Sequence, residues 1–230
     1  MRDWKRIAAA LVLFGVSFGY VEAAVVVYLR TISDPPRRKL YPNRSADDLF
    51  PLISLDQLPK AMPELTWLLS VEIAREAATI VMLVSVALVA GGKASWLPSF
   101  AIAFGTWDIF YYVFLKLLLH WPASIMTWDI LFLVPVPWAA PVLAPVVVSV
   151  TIIGAGLLAL AKPMRMLPAH WIGITLGVAL ILMSFMWDYQ NLLAGGLPRP
   201  FAWSLFGAGE LAGLGAFLHA FLRDERHTIS

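Results

Sequence analysis

Acidic side chains inside apolar segments are the residues of this sequence best suited to chemistry. Five carboxylates and one arginine lie among Leu, Val, Ala, Phe and Gly: Glu22, Glu72, Glu76, Asp108, Glu210 and Arg75. An ionisable group inside a bilayer costs about 3 kcal/mol, so it is usually turned inward and paired, or it marks a functional site. Carboxylates in such a place can perform acid–base catalysis or hold a cation that polarises a phosphoryl or carbonyl oxygen.

Three of these residues share one predicted helix face. Glu72, Arg75 and Glu76 stand at positions i, i+3 and i+4, which are neighbours on the surface of an α-helix. The arginine can pair with both acids, yet the trio keeps a net negative charge. A structural ion pair alone is the alternative reading.

A second polar stripe follows Asp108. Tyr112 and Lys116 lie at i+4 and i+8 from it, so the three side chains fall on one face, and Lys116 is close enough to the membrane surface to snorkel. The stripe is suited to proton relay or to substrate contacts.

These patterns give a set of predicted roles. Acid–base or catalytic roles are predicted for Glu72 and Asp108 first, with Glu76, Glu22 and Glu210 completing the polar shell. Substrate contacts are predicted for Arg75, Lys116, Tyr112, Asp129 and Asp188, the last two at the mouth of the site. If a metal binds, an all-carboxylate set favours Mg²⁺, Ca²⁺ or Mn²⁺, with Glu22, Glu72, Glu76 and Asp108 as candidate ligands. The histidines show no metal-binding spacing.

Composition identifies the elements that must position these side chains. The 230 residues are 60% hydrophobic and 14% charged, whereas soluble domains carry roughly a quarter charged residues. Segments of about 20 apolar residues cross a bilayer as helices. The sequence therefore predicts an all-α polytopic transmembrane bundle forming a single integral membrane domain over 1–230, with six spans near 7–29, 65–91, 97–119, 138–161, 170–191 and 202–222.

Basic residues predict the orientation of this bundle. They concentrate in the segments that lie inside if the N-terminus is cytoplasmic, which places both termini in the cytoplasm. The 30–64 segment is then an extracytoplasmic loop; its six prolines exclude a long helix and leave room for a short one near 46–57. The apolar 121–137 segment is expected to be re-entrant or interfacial, with a seventh span as the alternative.

Small residues predict how the acids come together. Gly15, Gly19 and Ala23 run beside Glu22, and glycines flank Glu210. Small residues at such spacing let membrane helices approach closely. We therefore expect all five acids in one pocket beneath the extracytoplasmic surface.

Three functions fit these features. The first is a membrane-embedded enzyme or binding protein for a lipid or other amphipathic molecule, because the polar residues crowd one side of the bundle. The second is a proton- or cation-coupled transporter, and the third is a structural subunit of a larger membrane complex. Membrane lipids are the expected partners, and a homo-oligomer or a membrane complex is the alternative. The net charge of +2 argues against a nucleic acid, and the expected location is a bacterial-type inner (plasma) membrane.

Overall fold

The protein is mostly helical, and six of its helical segments are long and apolar enough to cross a membrane. The computed structural model describes residues 4–44, 48–53 and 63–229. The helices are α1 (Trp4–Leu40), α2 (Pro63–Leu119), α3 (Leu143–Ala161), α4 (Pro168–Met186), α5 (Tyr189–Leu193) and α6 (Trp203–Ile229), and the strands are β1 (Trp128–Phe132) and β2 (Trp138–Pro141). The prediction of a mainly helical chain with six segments able to span a membrane is thus confirmed.

Helix α2 is two spans joined at a sharp kink. Its limbs, α2a (Trp67–Lys93) and α2b (Ser95–Leu119), meet at Gly92, which has φ 62°. Glycine accepts a positive φ without the steric cost of a Cβ. The limbs fold back on each other, so that Leu83 of α2a packs in one cluster with Ile102 and Ala103 of α2b. This hairpin brings the acidic face of α2a beside Asp108.

Helix α1 runs further than predicted. It continues to Leu40 through Pro35 and Pro36, eleven residues into the segment expected to be a loop. A proline removes one backbone donor and kinks a helix, but it does not always end one. Half of the predicted short helix near 46–57 lies outside the described residues. The described part, 48–53, is not helical, and Phe50 packs on Ala139 and Leu192.

The segment after α2 is a β-hairpin and not a helix. Strands β1 and β2 pair antiparallel, with Asp129 opposite Ala140 and an irregularity between Ile130 and Phe132. The fourth span was predicted to begin at 138, which is wrong, because residues 138–141 form β2 and the helix starts at Leu143. Pairing with β1 satisfies the backbone there. No seventh helix occurs between 120 and 142, all of which is described.

Helices α4 and α6 pack almost backbone to backbone. A Cβ added at Gly177 would lie 2.6 Å from the carbonyl oxygen of Gly209 and 2.6 Å from the amide nitrogen of Gly213. The same pair of helices is joined near one end by His170 Nε2 and His219 Nδ1, which are 3.0 Å apart. The predicted close approach at Gly209 and Gly213 is therefore present, and its partner is α4.

Candidate acidic cavity

A cavity of about 210 Å³ lies between α1, α2 and the β-hairpin. We call it the acidic cavity, because its lining includes five carboxylates and two arginines: Glu22, Glu72, Glu76, Asp108, Asp129, Arg30 and Arg75. Polar side chains of Ser33, Thr79, Trp107, Tyr111 and Tyr112 also line it, together with Leu49 from the connection between α1 and α2. Residues far apart in the chain therefore converge on one space.

Close packing of α1 against α2b positions the Glu22 side of this cavity. A Cβ at Gly19 would lie 2.9 Å from the carbonyl oxygen of Trp107 and 2.9 Å from the amide nitrogen of Tyr111. A Cβ at Gly15 would lie 2.7 Å from Thr106 Cβ. Both glycines thus allow the close approach that the sequence predicted.

Arg75 holds two of the acids together. Its Nε donates to Glu72 Oε2 at 2.9 Å, its Nη2 donates to Glu72 Oε1, and its Nη1 donates to Glu22 Oε1. The fork of the guanidinium matches a carboxylate in two-point contact. Arg75 therefore bridges α1 and α2a, and its charge is committed to these two acids.

Glu76 and Asp108 each accept one hydrogen bond from a different element. Glu76 Oε2 accepts from the backbone N–H of Leu133 at 2.8 Å, which ties the end of the hairpin to α2a. Asp108 Oδ2 accepts from the Ser149 hydroxyl of α3 at 2.8 Å. Neither contact brings a positive charge, so these acids add to the negative character of the cavity.

Asp129 is the acid that the hairpin contributes. It is 3% exposed, and its Oδ2 accepts from the Tyr112 hydroxyl at 2.9 Å. Burial raises the pKa of Asp129 to about 6, although hydrogen bonds from Tyr112 and from the backbone of Ile130 and the charge of Arg30 act in the opposite direction. A carboxyl group with this pKa exchanges protons near neutral pH.

Two donors in the cavity wall lack a hydrogen-bond acceptor among the described residues. Trp107 is 5% exposed, and its indole Nε1 is buried without a partner. The Nε of Arg30 is also buried without a partner, although its guanidinium lies 4.4 Å from the centre of the Trp121 ring. Buried donors of this kind usually bond to something, because leaving one unsatisfied costs about 1–3 kcal/mol.

Three residues predicted for the site lie elsewhere. Glu210 accepts from the Thr151 hydroxyl of α3 at 3.0 Å, since residue 210 faces α3 while neighbouring Gly209 packs on α4. Lys116 Nζ lies 2.9 Å from the carbonyl oxygen of Pro122, where it binds the turn that follows α2. Asp188 accepts from Asn191 Nδ2 at 2.9 Å and fixes the connection between α4 and α6. The single pocket expected for all five acids is therefore wrong for Glu210.

Sequence reasoning missed Arg30 and Trp107 as cavity residues. Arg30 was counted with the loop because α1 was expected to end near residue 29. The signal was present in the helical spacing, since Glu22, Val26 and Arg30 recur every four residues and all line the cavity.

The described residues contain no group of three or more His, Cys, Asp or Glu side chains placed to hold a metal ion. The carboxylates instead bind donors of the chain itself. Comparisons of the chain with protein-family models, curated proteins and solved structures found no match.

Proposed function

We propose that this integral membrane protein binds the polar part of a lipid or other amphipathic molecule in the acidic cavity. The observation that carries the proposal is the convergence of five carboxylates and two arginines from α1, α2 and the hairpin on one space of about 210 Å³. Charged groups in a membrane domain are costly, and a set that encloses space is typical of a binding or reaction site.

The size of the cavity limits what enters it. Water occupies about 30 Å³ per molecule, so the cavity has room for about seven waters. Pockets for drug-sized ligands range from about 300 to 1,000 Å³. The cavity therefore suits a small polar group, while the apolar part of the ligand stays along the exposed hydrophobic faces of the helices.

The charges favour a ligand over a purely structural ion-pair cluster. Arg75 is committed to Glu22 and Glu72, and Arg30 is the other basic residue that lines the cavity. Glu76, Asp108 and Asp129 then outnumber the remaining arginine. Protonation of some acids, or a cationic group of the ligand, balances this excess.

Asp129 is the leading candidate for a proton-transfer step. Its pKa near 6 and its hydrogen bond to Tyr112 suit a general acid or base at neutral pH. Asp108 lies one helical turn from Tyr112 and also lines the cavity. If the protein is an enzyme, these two carboxylates would handle protons, with Glu72, Glu76 and Glu22 shaping the charge around them.

The orientation proposed for the bundle follows from charge. If all six helical segments cross the membrane, both termini lie on one side, and the basic residues near that side favour the cytoplasm of a bacterial-type inner membrane. The acidic cavity, near the other ends of α1 and α2, then opens toward the outer side.

A coupled transporter is a weaker alternative. Toward the start of α1, next to the cavity, lies an apolar cluster that includes Leu11, Leu83, Ile102 and Leu160. A conduit through the bundle would have to open this cluster, because alternating access needs a route on both sides of the site. A purely structural role in a larger complex would not explain why Trp107 Nε1 and Arg30 Nε lack an acceptor among the described residues.

Native mass spectrometry of the purified protein tests the proposal. We expect a bound amphipathic molecule on the wild type that is depleted in Glu76→Gln. The matched control is Glu210→Gln, which removes another membrane carboxylate with one hydroxyl partner but lies outside the cavity. Equal retention in both variants, or no bound molecule in any of the three proteins, would contradict the proposal.

A further inference from the structure

A larger pocket of about 510 Å³ borders the acidic cavity near the C-terminal end of α1. We call it the α1 pocket; it is lined by Val27, Arg30, Thr31, Asp34, Pro35, Arg38 and Leu119. Arg30 lines both spaces. The two spaces therefore differ in charge and share one residue, Arg30.

The α1 pocket has the features of an anion-binding space. It carries two arginines and one aspartate, so its net charge is positive. Arg30 is held over the Trp121 ring, and its buried Nε has no hydrogen-bond acceptor among the described residues. A guanidinium that is fixed in place and partly unsatisfied is well suited to a phosphate or carboxylate oxygen.

The acidic cavity has the opposite preference. Five carboxylates line it against two arginines, and one of these arginines, Arg75, bonds to Glu22 and Glu72. Bound ammonium groups are stabilised by such an excess of carboxylate oxygen. The unpartnered indole Nε1 of Trp107 adds a donor for an oxygen atom of the ligand or for a water molecule bound with it.

We propose that the two spaces form one binding site for a zwitterionic head group, with an ammonium in the acidic cavity and a phosphodiester at Arg30 and Arg38 in the α1 pocket. This inference rests on the proposed function and names its ligand class. The exposed apolar side chains Val21 and Tyr28 on α1 and Leu117 and Leu118 on α2b give acyl chains a surface near the site. A membrane aminophospholipid and its soluble deacylated form share the head-group chemistry.

Binding of defined probes to the full-length protein in detergent tests the inference. The probes are short-chain phosphatidylethanolamine, phosphatidylglycerol with the same chains, and glycerophosphoethanolamine. We expect the wild-type Kd for phosphatidylethanolamine to be about tenfold lower than the Kd for phosphatidylglycerol. Tight binding of glycerophosphoethanolamine would indicate that the natural ligand is a soluble molecule with this head group. Weak binding of this probe would indicate that the natural ligand is the membrane lipid.

Two variants locate the two charges of the probe. Glu76→Gln should reduce the preference for the amine lipid to less than about threefold, because it removes a carboxylate from the ammonium side. Arg30→Gln should weaken both lipids about equally, because both carry the phosphodiester. Arg38→Gln tests the same subsite if Arg30→Gln does not fold. The controls are Glu210→Gln and Arg199→Gln, which lie outside both spaces.

The outcomes separate this inference from the proposed function. Equal wild-type affinities for the two lipids, or a preference that Glu76→Gln leaves unchanged, would overturn the zwitterion assignment. If the two lipids bind equally and both Arg30→Gln and Glu76→Gln weaken their binding, the cavity binds an amphipathic molecule and only the ligand class is wrong. If no probe responds to either variant, both proposals fail.

Discussion

Two regions of this bundle use buried polar and small residues in opposite ways. Around the acidic cavity, α1, α2 and the hairpin surround space with five carboxylates. In the α4–α6 pair, the glycines at 177 and 209 bring the backbones into contact, and the polar groups there bond to each other or to the chain, as His170 does to His219. Polar residues in membrane helices therefore mark a site only where the packing leaves room beside them.

Close helix packing at glycine has different consequences in these two regions. Gly19 lets α1 approach α2b, and the acids placed beyond that contact then face a common space. Gly177 lets α4 approach α6, and no cavity acid lies near that contact. Close helix packing is thus needed for the acidic cavity but does not by itself create one.

The largest expected effect is in the cavity, on removal of Arg75. Arg75→Met leaves Glu22 and Glu72 without their cation, and breaking a buried ion pair from one side costs about 4 kcal/mol. The thermal midpoint of the purified protein should fall well below that of the wild type. Adding Glu22→Gln and Glu72→Gln to the same chain should recover most of the loss. A stable Arg75→Met single variant would show that the two acids are neutral or hydrated without it.

The next effect is the pH dependence contributed by Asp129. Its pKa is about 6 in the fold against an ordinary 3.8, because burial disfavours the charged form. The protonated form of Asp129 therefore contributes about 3 kcal/mol to the free energy of unfolding below about pH 4. This contribution is lost as the pH rises through 6. Unfolding measured from pH 4 to 8 should show a fall in wild-type stability that is smaller in Asp129→Asn. Identical slopes would contradict the assignment.

A change in the α4–α6 pair should have a moderate effect and leave the cavity intact. In Gly177→Ala the new methyl group would meet Gly209 and Gly213 at 2.6 Å, and overpacking of this kind costs about 2 kcal/mol. Gly213→Ala is the control, because a Cβ there has no atom within 4 Å. Thermal melts should separate the two variants, while ligand binding in the cavity stays unchanged in both. Equal melting temperatures would show that the helices can separate at no cost.

The smallest effect is expected at the end of α2. Lys116→Met removes the contacts of Nζ with the carbonyl oxygens of His120 and Pro122 and a positive charge from the C-terminal turn of a helix. Such a charge contributes about 0.5 kcal/mol. The thermal midpoint should drop slightly with no loss of cavity binding. A large loss of binding would instead support the substrate contact that the spacing of Lys116 predicted.

Sequence patterns predicted the spans because hydropathy and length decide them, and they predicted the gathering of Glu22, Glu72, Glu76 and Asp108 because the helical rise puts them at similar depths in the predicted spans. They failed for Glu210 because depth along a helix does not determine the direction in which a side chain points. One helical position separates Gly209, which packs on α4, from Glu210, which faces α3.

The hairpin was not predictable from apolar composition. Residues 121–137 read as a membrane segment of undecided structure, and only tertiary pairing with 138–141 makes strands of Trp128–Phe132. That pairing takes Asp129 from the expected mouth of the site into the cavity wall. The helical continuation of α1 through Pro35 likewise departs from the local proline rule.

Thiol labelling gives the most direct test of the central claim that the carboxylates surround a space open to solvent or ligand. The chain contains no cysteine, so each introduced thiol is the sole target. Thr79 lines the cavity and is 2% exposed, whereas Ser184 is 1% exposed on α4 and bonds to the Ile181 carbonyl. The account predicts that Thr79→Cys reacts with a small cationic methanethiosulfonate added from the outer side, faster than with an anionic one, while Ser184→Cys stays unlabelled. Equal protection of both thiols in the native protein would contradict it.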